Sequence, residues 1–191
     1  MPNRINKPDG EYIKPFSIEY YTDIIAAGPK CPEQEFYFID GAIYILRGIA
    51  YYCKGDYDNA IVDHSNAIEL APKNAWGYCS RGDAYLKKGS LKESINDYTE
   101  AIKLCPREEA FYTRRGDAYL EQKKYYKAER DYMDVIELCY EHDPRLDDPD
   151  NDDEYLKGLV KEIESKLTIV SRKRNGELLR HKVTDDTSNK E

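Results

Sequence analysis

The sequence predicts an all-α fold: three stacked helix hairpins, preceded by one helix and followed by a long capping helix. The main reason is that Gly48, Gly82 and Gly116 lie 34 residues apart in a chain of 191 residues. Other positions recur in the same phase: Tyr51, Tyr85 and Tyr119; Ala60, Ser94 and Ala128; Pro72 and Pro106. A fixed period of this length is typical of helical units that stack on one another.

The second repeat illustrates how each hairpin is built. The predicted repeats are residues 41–74, 75–108 and 109–142. Within the second, apolar residues follow helical spacing over 75–88 and again over 91–104. Gly89 and Ser90 break the first helix, and Pro106 ends the second because proline cannot continue the hydrogen-bond ladder.

This pattern resembles the tetratricopeptide repeat, a helix–turn–helix unit with small residues at positions 8, 20 and 27, a large residue at 24 and proline at 32. The resemblance covers residues 41–142, and it implies a right-handed superhelix. Two departures occur. His64 stands where a large aromatic residue is usual, and Val135 and Tyr140 replace the alanine and proline of the third repeat. The second helix of that repeat is therefore expected to run longer or to end differently.

A charged pair recurs with the same period and predicts an internal contact. An arginine precedes each of the three glycines, and an aspartate follows it sixteen residues later. The pairs are Arg47 with Asp63, Arg81 with Asp97, and Arg115 with Asp131. This spacing connects the middle of a first helix to the middle of a second, so each pair would meet either across the hairpin or with the adjoining repeat. Because the pair recurs in every repeat, we expect a partly buried contact that fixes helix register rather than an anion site.

The N-terminal segment, residues 1–40, contains a helix that echoes the repeats. Residues 17–25 match residues 94–102 in pattern. This similarity predicts a partial second helix over 17–27, capped by Ser17 and stopped after Gly28. A proline followed by acidic residues near position 32 further predicts that the first helix of the first repeat is extended, from about residue 32 to residue 54.

Residues 143–182 are predicted to form an acidic loop and the capping helix. The helix is expected to begin near residue 153, with an apolar stripe of Leu156, Leu159, Val160, Ile163, Leu167 and Val170. Residues 183–191 are predicted to be a disordered tail. The acidic loop lacks the glycine and terminal glutamate of a calcium-binding loop, so we interpret it as a solvated linker.

Composition limits the function classes. The net charge of -8 and the pI near 5.1 disfavour nucleic acid as a partner. We find no secretory signal and no apolar stretch of about 18 residues that would span a membrane. Five cysteines without a Cys-x-x-Cys pair indicate reduced thiols, no metal site and a cytoplasmic location.

No catalytic set is recognisable in the sequence. The three histidines, His64, His142 and His181, stand in different structural contexts. The turn glycines are not arranged to hold a phosphate, and the carboxylates are expected on exposed helix faces. We therefore predict that the chain is not an enzyme and needs no cofactor.

The resemblance implies that the first helices of the repeats line a concave groove that binds a peptide. The implied groove residues are Ile45, Ile49 and Tyr52; Trp76, Ser80, Asp83 and Lys87; and Thr113, Arg114, Asp117 and Glu121. Such a groove would be apolar at one end and charged at the other, which suits a peptide with hydrophobic anchors and one or two charges. The predicted function is a non-catalytic scaffold for a peptide or partner protein.

Other uses of the apolar end stay open. Ile45, Ile49 and Tyr52 are equally suited to being covered by the protein's own first forty residues, and Trp76 is expected to pack against its neighbouring helix. The same apolar surface would also serve a homodimer, which is the alternative function.

One subgroup of the family grips the C-terminal carboxylate of chaperone tails with basic residues and asparagines. The corresponding positions here hold Ile45, Ile49, Ser80, Ala110 and Arg114. Only Arg114 agrees, so a chaperone-tail adaptor is disfavoured.

Overall fold

A computed structural model describes residues 17–28, 41–146 and 153–188, with side chains described up to residue 175. These ranges form eight α-helices and no strand, which confirms the predicted all-α class. The helices are α1 (Ile18–Ala27), α2 (Ala42–Cys53), α3 (Tyr57–Leu70), α4 (Ala75–Lys87), α5 (Leu91–Leu104), α6 (Glu109–Glu121), α7 (Tyr125–His142) and α8 (Glu154–Ser188).

The chain divides into two compact units, Met1–Pro106 and Arg107–Glu191. In the first unit α2 pairs with α3 and α4 pairs with α5, while α1 packs against α2. In the second unit α6 pairs with α7, and α8 packs along α7. Each predicted repeat is therefore a helix hairpin.

The turns inside the hairpins need a left-handed residue. Gly55 and Gly89 have φ angles of 82° and 78°, and the equivalent position in the third repeat is Lys123, with φ of 59°. The residue directly after each left-handed residue donates its backbone N–H to a tyrosine carbonyl, as Ser90 does to Tyr85 at 2.9 Å. Glycine adopts this conformation without steric cost, which explains why the first two turns contain it.

The periodic glycines allow the two helices of each hairpin to touch. A Cβ atom on Gly82 would lie 2.8 Å from Cε1 of Tyr98, and one on Gly116 would lie 2.6 Å from Cε1 of Tyr132. Both tyrosine side chains are fully buried. Glycine is required here for close approach, since an added methyl group would overlap an immobile ring.

We expect Gly82→Ala to lower the free energy of unfolding by about 1–3 kcal/mol through this overlap, although alanine is the better helix former by about 1 kcal/mol. Gly158→Ala on α8 is the matched control, because nothing lies within 4 Å of its added Cβ. The control should gain about 0.5–1 kcal/mol. Urea unfolding followed by circular dichroism measures both, and equal effects at the two sites would contradict the close-approach explanation.

All three predicted arginine–aspartate pairs are present. Arg81 donates from Nε and Nη2 to the two carboxylate oxygens of Asp97, at 2.8 and 2.7 Å. The other two pairs have the same two-bonded geometry, with distances of 2.7 to 2.8 Å. Hydrogen bonding to Asp97 raises the pKa of Arg81. Each pair joins the two helices of one hairpin, which confirms the predicted contact. That the pairs fix helix register stays a prediction.

The same arginines also reach the preceding helix in the first unit. Arg81 donates from Nη1 to Oγ of Ser65 on α3, at 3.2 Å, and Arg47 donates from Nη1 to Oγ1 of Thr22 on α1, at 3.3 Å. Helix α1 therefore contacts the first repeat as α3 contacts the second. Its predicted caps are confirmed, since Ser17 accepts from the backbone of Tyr20 and Gly28 has a φ of 67°.

Two expectations about helix ends differ from the structure. The predicted extension of the first helix from about residue 32 is wrong at Gly41, whose φ of 72° is incompatible with a continuous right-handed helix; residues 29–40 lie outside the described residues. Residues 183–188 continue α8, whereas the sequence predicted a disordered tail. Helix elongation gains one hydrogen bond per residue, and no proline interrupts it after Pro149. Residues 189–191 lie outside the described part.

The core of the second unit forms where α7 meets α8. Helix α7 has 18 residues, against 14 in α3 and α5, which confirms that the third repeat ends with a longer helix. Val135 and Cys139 are fully buried there. The predicted stripe of α8 packs against them: Leu156, Ile163 and Val170 are buried, and Leu159, Val160 and Leu167 partly so. The long last helix thus covers the end of the third hairpin.

Candidate interaction surface

The first helices of the first unit, α2 and α4, lie beside each other. Along α2, Leu46 and Ile49 are 40% and 44% exposed, and along α4, Trp76 is 48% exposed. Lys87 is also exposed, whereas Ile45, Tyr52, Ser80 and Asp83 are half-buried. Trp76, Ser80, Asp83 and Lys87 recur at helical spacing and form one stripe. We call these exposed and half-buried residues of the two helices the α2/α4 face.

The exposure of Trp76 corrects the expectation that it packs against its neighbouring helix. Trp76 is the second residue of α4, where Asn74 caps the helix by accepting from the Trp76 backbone N–H at 3.1 Å. The small residues on either side, Ala75 and Gly77, are buried instead. The indole therefore stays on the exposed side, because its neighbours take the inward positions.

A buried tyrosine supports the polar part of this face from behind. Tyr98 of α5 lies under Gly82 and donates its hydroxyl to Asp83 at 2.7 Å. Burial raises the pKa of Tyr98, so it stays a donor at neutral pH. The contact fixes the Asp83 carboxylate in place. The 34-residue period is the sequence signal that could have predicted this bond, since Asp117 and Tyr132 lie 34 residues further on and make the same bond at 2.6 Å.

The first repeat departs from this arrangement at both positions. His64 replaces the tyrosine and lies under Gly48, while Ile49 replaces the aspartate. His64 is almost fully buried, and its Nδ1 has no hydrogen-bond partner among the described residues. Burial, assisted by the nearby Arg81, lowers the pKa of His64 to about 4. The apolar end of the α2/α4 face thus rests on a neutral histidine.

In the second unit, the four predicted groove residues all lie on α6. Thr113, Arg114 and Asp117 are half-buried, and Glu121 is exposed. Asp117 is engaged twice, because it accepts from Tyr132 and also pairs with Lys166 of α8, whose Nζ lies 2.9 Å from both carboxylate oxygens. Sequence reasoning missed Lys166, since it lies 49 residues from Asp117 and outside the repeats.

Other site classes are not indicated by the described residues. Within 17–28, 41–146 and 153–175, no three His, Cys, Asp or Glu side chains are grouped so that they could hold a metal ion. Among the helices described, none has the length and apolar character needed to cross a membrane.

Repeated hairpins with exposed first helices define a helical-repeat protein, a class that offers extended surfaces for binding. Sequence profiles of the tetratricopeptide repeat match residues 48–89, 82–123 and 110–142. The chain belongs to the tetratricopeptide repeat family. Among curated proteins, none has a significantly similar sequence.

Several solved structures of known proteins are similar to this chain. The yeast Sti1 TPR2B domain, in a complex with pHsp70, has a TM-score of 0.54 and 24% identity, covering 66% of this chain and 98% of its own. The second TPR of Spaghetti (RPAP3), bound to the HSP90 peptide SRMEEVD, has a TM-score of 0.50 and 29% identity. The match covers 52% of this chain and 92% of that domain. A T3SS complex from Aeromonas hydrophila has a TM-score of 0.61 and 16% identity. The match covers 71% of this chain and 83% of the matched chain.

Proposed function

We propose that this chain is a non-catalytic scaffold that binds a peptide segment of a partner protein through the α2/α4 face. The observation that carries the proposal is the exposure of Leu46, Ile49 and Trp76 on adjacent first helices. Large apolar side chains grouped on a surface mark interaction sites, and tryptophan is enriched among residues that dominate binding energy. The peptide-bound Spaghetti (RPAP3) domain, 29% identical to this chain, supports a peptide as the partner.

The chemistry of the face indicates an apolar peptide with a polar flank. Leu46, Ile49 and Trp76 suit two or three hydrophobic side chains of the ligand. At the other end of α4 the exposed Lys87 suits a carboxylate of the ligand. The four positions on α6 stay a prediction, as does the cytoplasm as the place where the protein acts.

Peptides that bind this protein, selected from a random displayed library, test the proposal. Trp76 is the only tryptophan in the chain, so its fluorescence reports on the α2/α4 face alone. Binding of a selected peptide is expected to shift the tryptophan emission. Ile49→Asp should weaken that binding at least about tenfold, since a buried contact becomes a desolvated charge. Val62→Asp is the matched control, because Val62 is exposed on α3, outside the α2/α4 face. Selected peptides that bind both variants as tightly as wild type would exclude this face.

The peptide SRMEEVD, which the Spaghetti (RPAP3) domain binds, provides a second test. Only Arg114 matches the clamp that grips such a carboxylate. We expect SRMEEVD to leave the Trp76 emission unchanged at concentrations that saturate a selected apolar peptide. Saturable binding of SRMEEVD would contradict the apolar specificity, and its loss in Arg114→Ala would assign the binding to the clamp position.

Self-association through the same apolar N-terminal surface is the alternative use of Leu46 and Ile49. Their exposure favours it as well, since two copies of one apolar patch can pair about a twofold axis. Light scattering separates the two functions. A monomer at all concentrations argues against this dimer, and a dimer abolished by Ile49→Asp argues for it.

A further inference from the structure

A second exposed stripe runs along α7 in the C-terminal unit. Tyr126, Arg130, Met133 and Glu137 recur at spacings of four, three and four residues, so they lie on one side of the helix. Tyr126 is 71% exposed and Met133 is 59% exposed. We call these four residues the α7 stripe. It shares no residue with the α2/α4 face.

A shallow groove of about 470 Å³ lies beside the stripe, between α7 and α8. It is lined by Glu129, Met133, Ile136, Glu137, Leu167 and Ser171. Its floor is apolar, because Met133, Ile136 and Leu167 contribute carbon and sulfur. Arg174 pairs with Glu129 at one edge and neutralises it. The groove therefore fits an apolar side chain, and methionine adapts well to such irregular gaps.

The charges of the α7 stripe match those of a second, antiparallel copy of the same helix. Arg130 stands three residues before Met133, and Glu137 stands four residues after it. When two copies of α7 are laid antiparallel with Met133 at the centre, Arg130 of each copy faces Glu137 of the other. Both side chains are exposed. Within the described part of the chain neither has a salt-bridge partner within 4 Å, although both lie near enough to Asp134 of the same helix to influence its pKa. An isologous interface requires this kind of self-matching pattern.

We infer that two copies of this chain pair through the α7 stripe. The two helices cross antiparallel about a twofold axis near Met133. Each Met133 enters the groove between α7 and α8 of the other copy, and two Arg130–Glu137 pairs flank the contact. Tyr126 extends the apolar part at each end.

Charge reversal tests this register. Sedimentation velocity on the full chain, over a concentration series into the high micromolar range, is expected to show a monomer–dimer equilibrium. Arg130→Glu and Glu137→Arg should each weaken dimerisation about tenfold or more, because two attractive pairs become two repulsive ones. The double variant should restore it, and so should an equimolar mixture of the two single variants. Lys92→Glu, a reversal on the exposed side of α5, should change nothing.

Each other outcome overturns the inference. A wild-type chain that stays monomeric throughout the series excludes the dimer. A dimer that is broken by Ile49→Asp but not by the reversals belongs to the N-terminal surface. Single reversals that no second reversal rescues show that the two side chains do not face each other. Thermal unfolding by circular dichroism checks that all variants fold, since exposed substitutions change stability by only about 0.5 kcal/mol.

Discussion

Asp131→Ala is expected to lower the free energy of unfolding by about 3–5 kcal/mol, because it leaves a buried guanidinium without its counterion. The carboxylate of Asp131 is completely buried, and the Arg115 side chain is 10% exposed. Two bonds of 2.8 Å join them. Without these bonds, Arg115 has to remain charged in a site that water reaches poorly, which is costly. Equilibrium urea unfolding measures the loss.

The matched control is Glu141→Ala. It removes an exposed pair of the same unit, Arg107 with Glu141, whose side chains are 77% and 51% exposed. The control should cost less than about 1 kcal/mol. A loss at Asp131 no larger than the loss at Glu141 would show that the pair does not hold the hairpin together.

A double variant separates the two sources of the loss. Arg115→Met combined with Asp131→Ala removes both charges and is expected to be more stable than Asp131→Ala alone, since an apolar replacement of a buried pair is often close to neutral. If the loss of stability in the double variant instead equals the sum of the losses in the two single variants, the unpaired buried charge is not the cause. Arg81→Ala in the first unit should also lower the melting temperature, although Arg81 is less buried.

Acidification is expected to destabilise the first repeat through His64, by roughly 2 kcal/mol between about pH 7 and pH 4.5. Burial in the folded protein holds the pKa of His64 at about 4, against the usual 6.5 of a histidine. Between these values the unfolded chain binds the proton and the folded chain does not. The contribution of neutral His64 to the free energy of unfolding is therefore fully present above pH 6.5 and is lost as the pH falls towards 4.

The other repeats provide the variant that should remove this sensitivity. Combining His64→Tyr with Ile49→Asp installs the hydroxyl–carboxylate pair that Tyr98 and Asp83 form in the second repeat. His64→Tyr alone should cost about 1–3 kcal/mol, because it buries a hydroxyl that has no acceptor at Ile49. The double variant should recover part of that loss and unfold with a smaller pH dependence than wild type over this range.

Stability curves at several pH values, compared between wild type and each variant, cancel the common contribution of the carboxylates. His142→Tyr is the control, since His142 is exposed at the end of α7. The interpretation is wrong if wild type and the double variant lose equal stability over the range, or if His142→Tyr removes the pH dependence as effectively.

Periodicity alone was sufficient for the hairpins, the arginine–aspartate pairs and the stripe of the last helix. The hairpins and the pairs depend on contacts that every repeat makes in the same way, so equal spacing along the chain corresponds to equal geometry in space. The stripe lies outside the repeats and follows the periodicity of a single helix. The exchange of tyrosine and aspartate for His64 and Ile49 is a change at two linked positions. It was visible in the sequence only as one unusual residue, because the bond between the two helices was not yet known.

The candidate site was less predictable for a physical reason. Whether Trp76 is buried depends on which of three adjacent residues turns inward, and the small side chains of Ala75 and Gly77 settle this only once the helices are placed. Lys166 reaches Asp117 from outside the repeat, where no period relates the two. The left-handed Gly41 likewise rules out one continuous helix from about residue 32 to residue 54, which acidic residues and a proline had suggested.

The sequence by itself determined that this protein is a series of helical hairpins, because steric demands at Gly48, Gly82 and Gly116 and the paired charges recur in one phase. Tertiary structure decided which of the remaining apolar side chains stay in contact with water. Burial depends on what lies opposite a residue, and the partners of Leu46, Ile49, Trp76 and Met133 are set by distances in space rather than by positions along the chain.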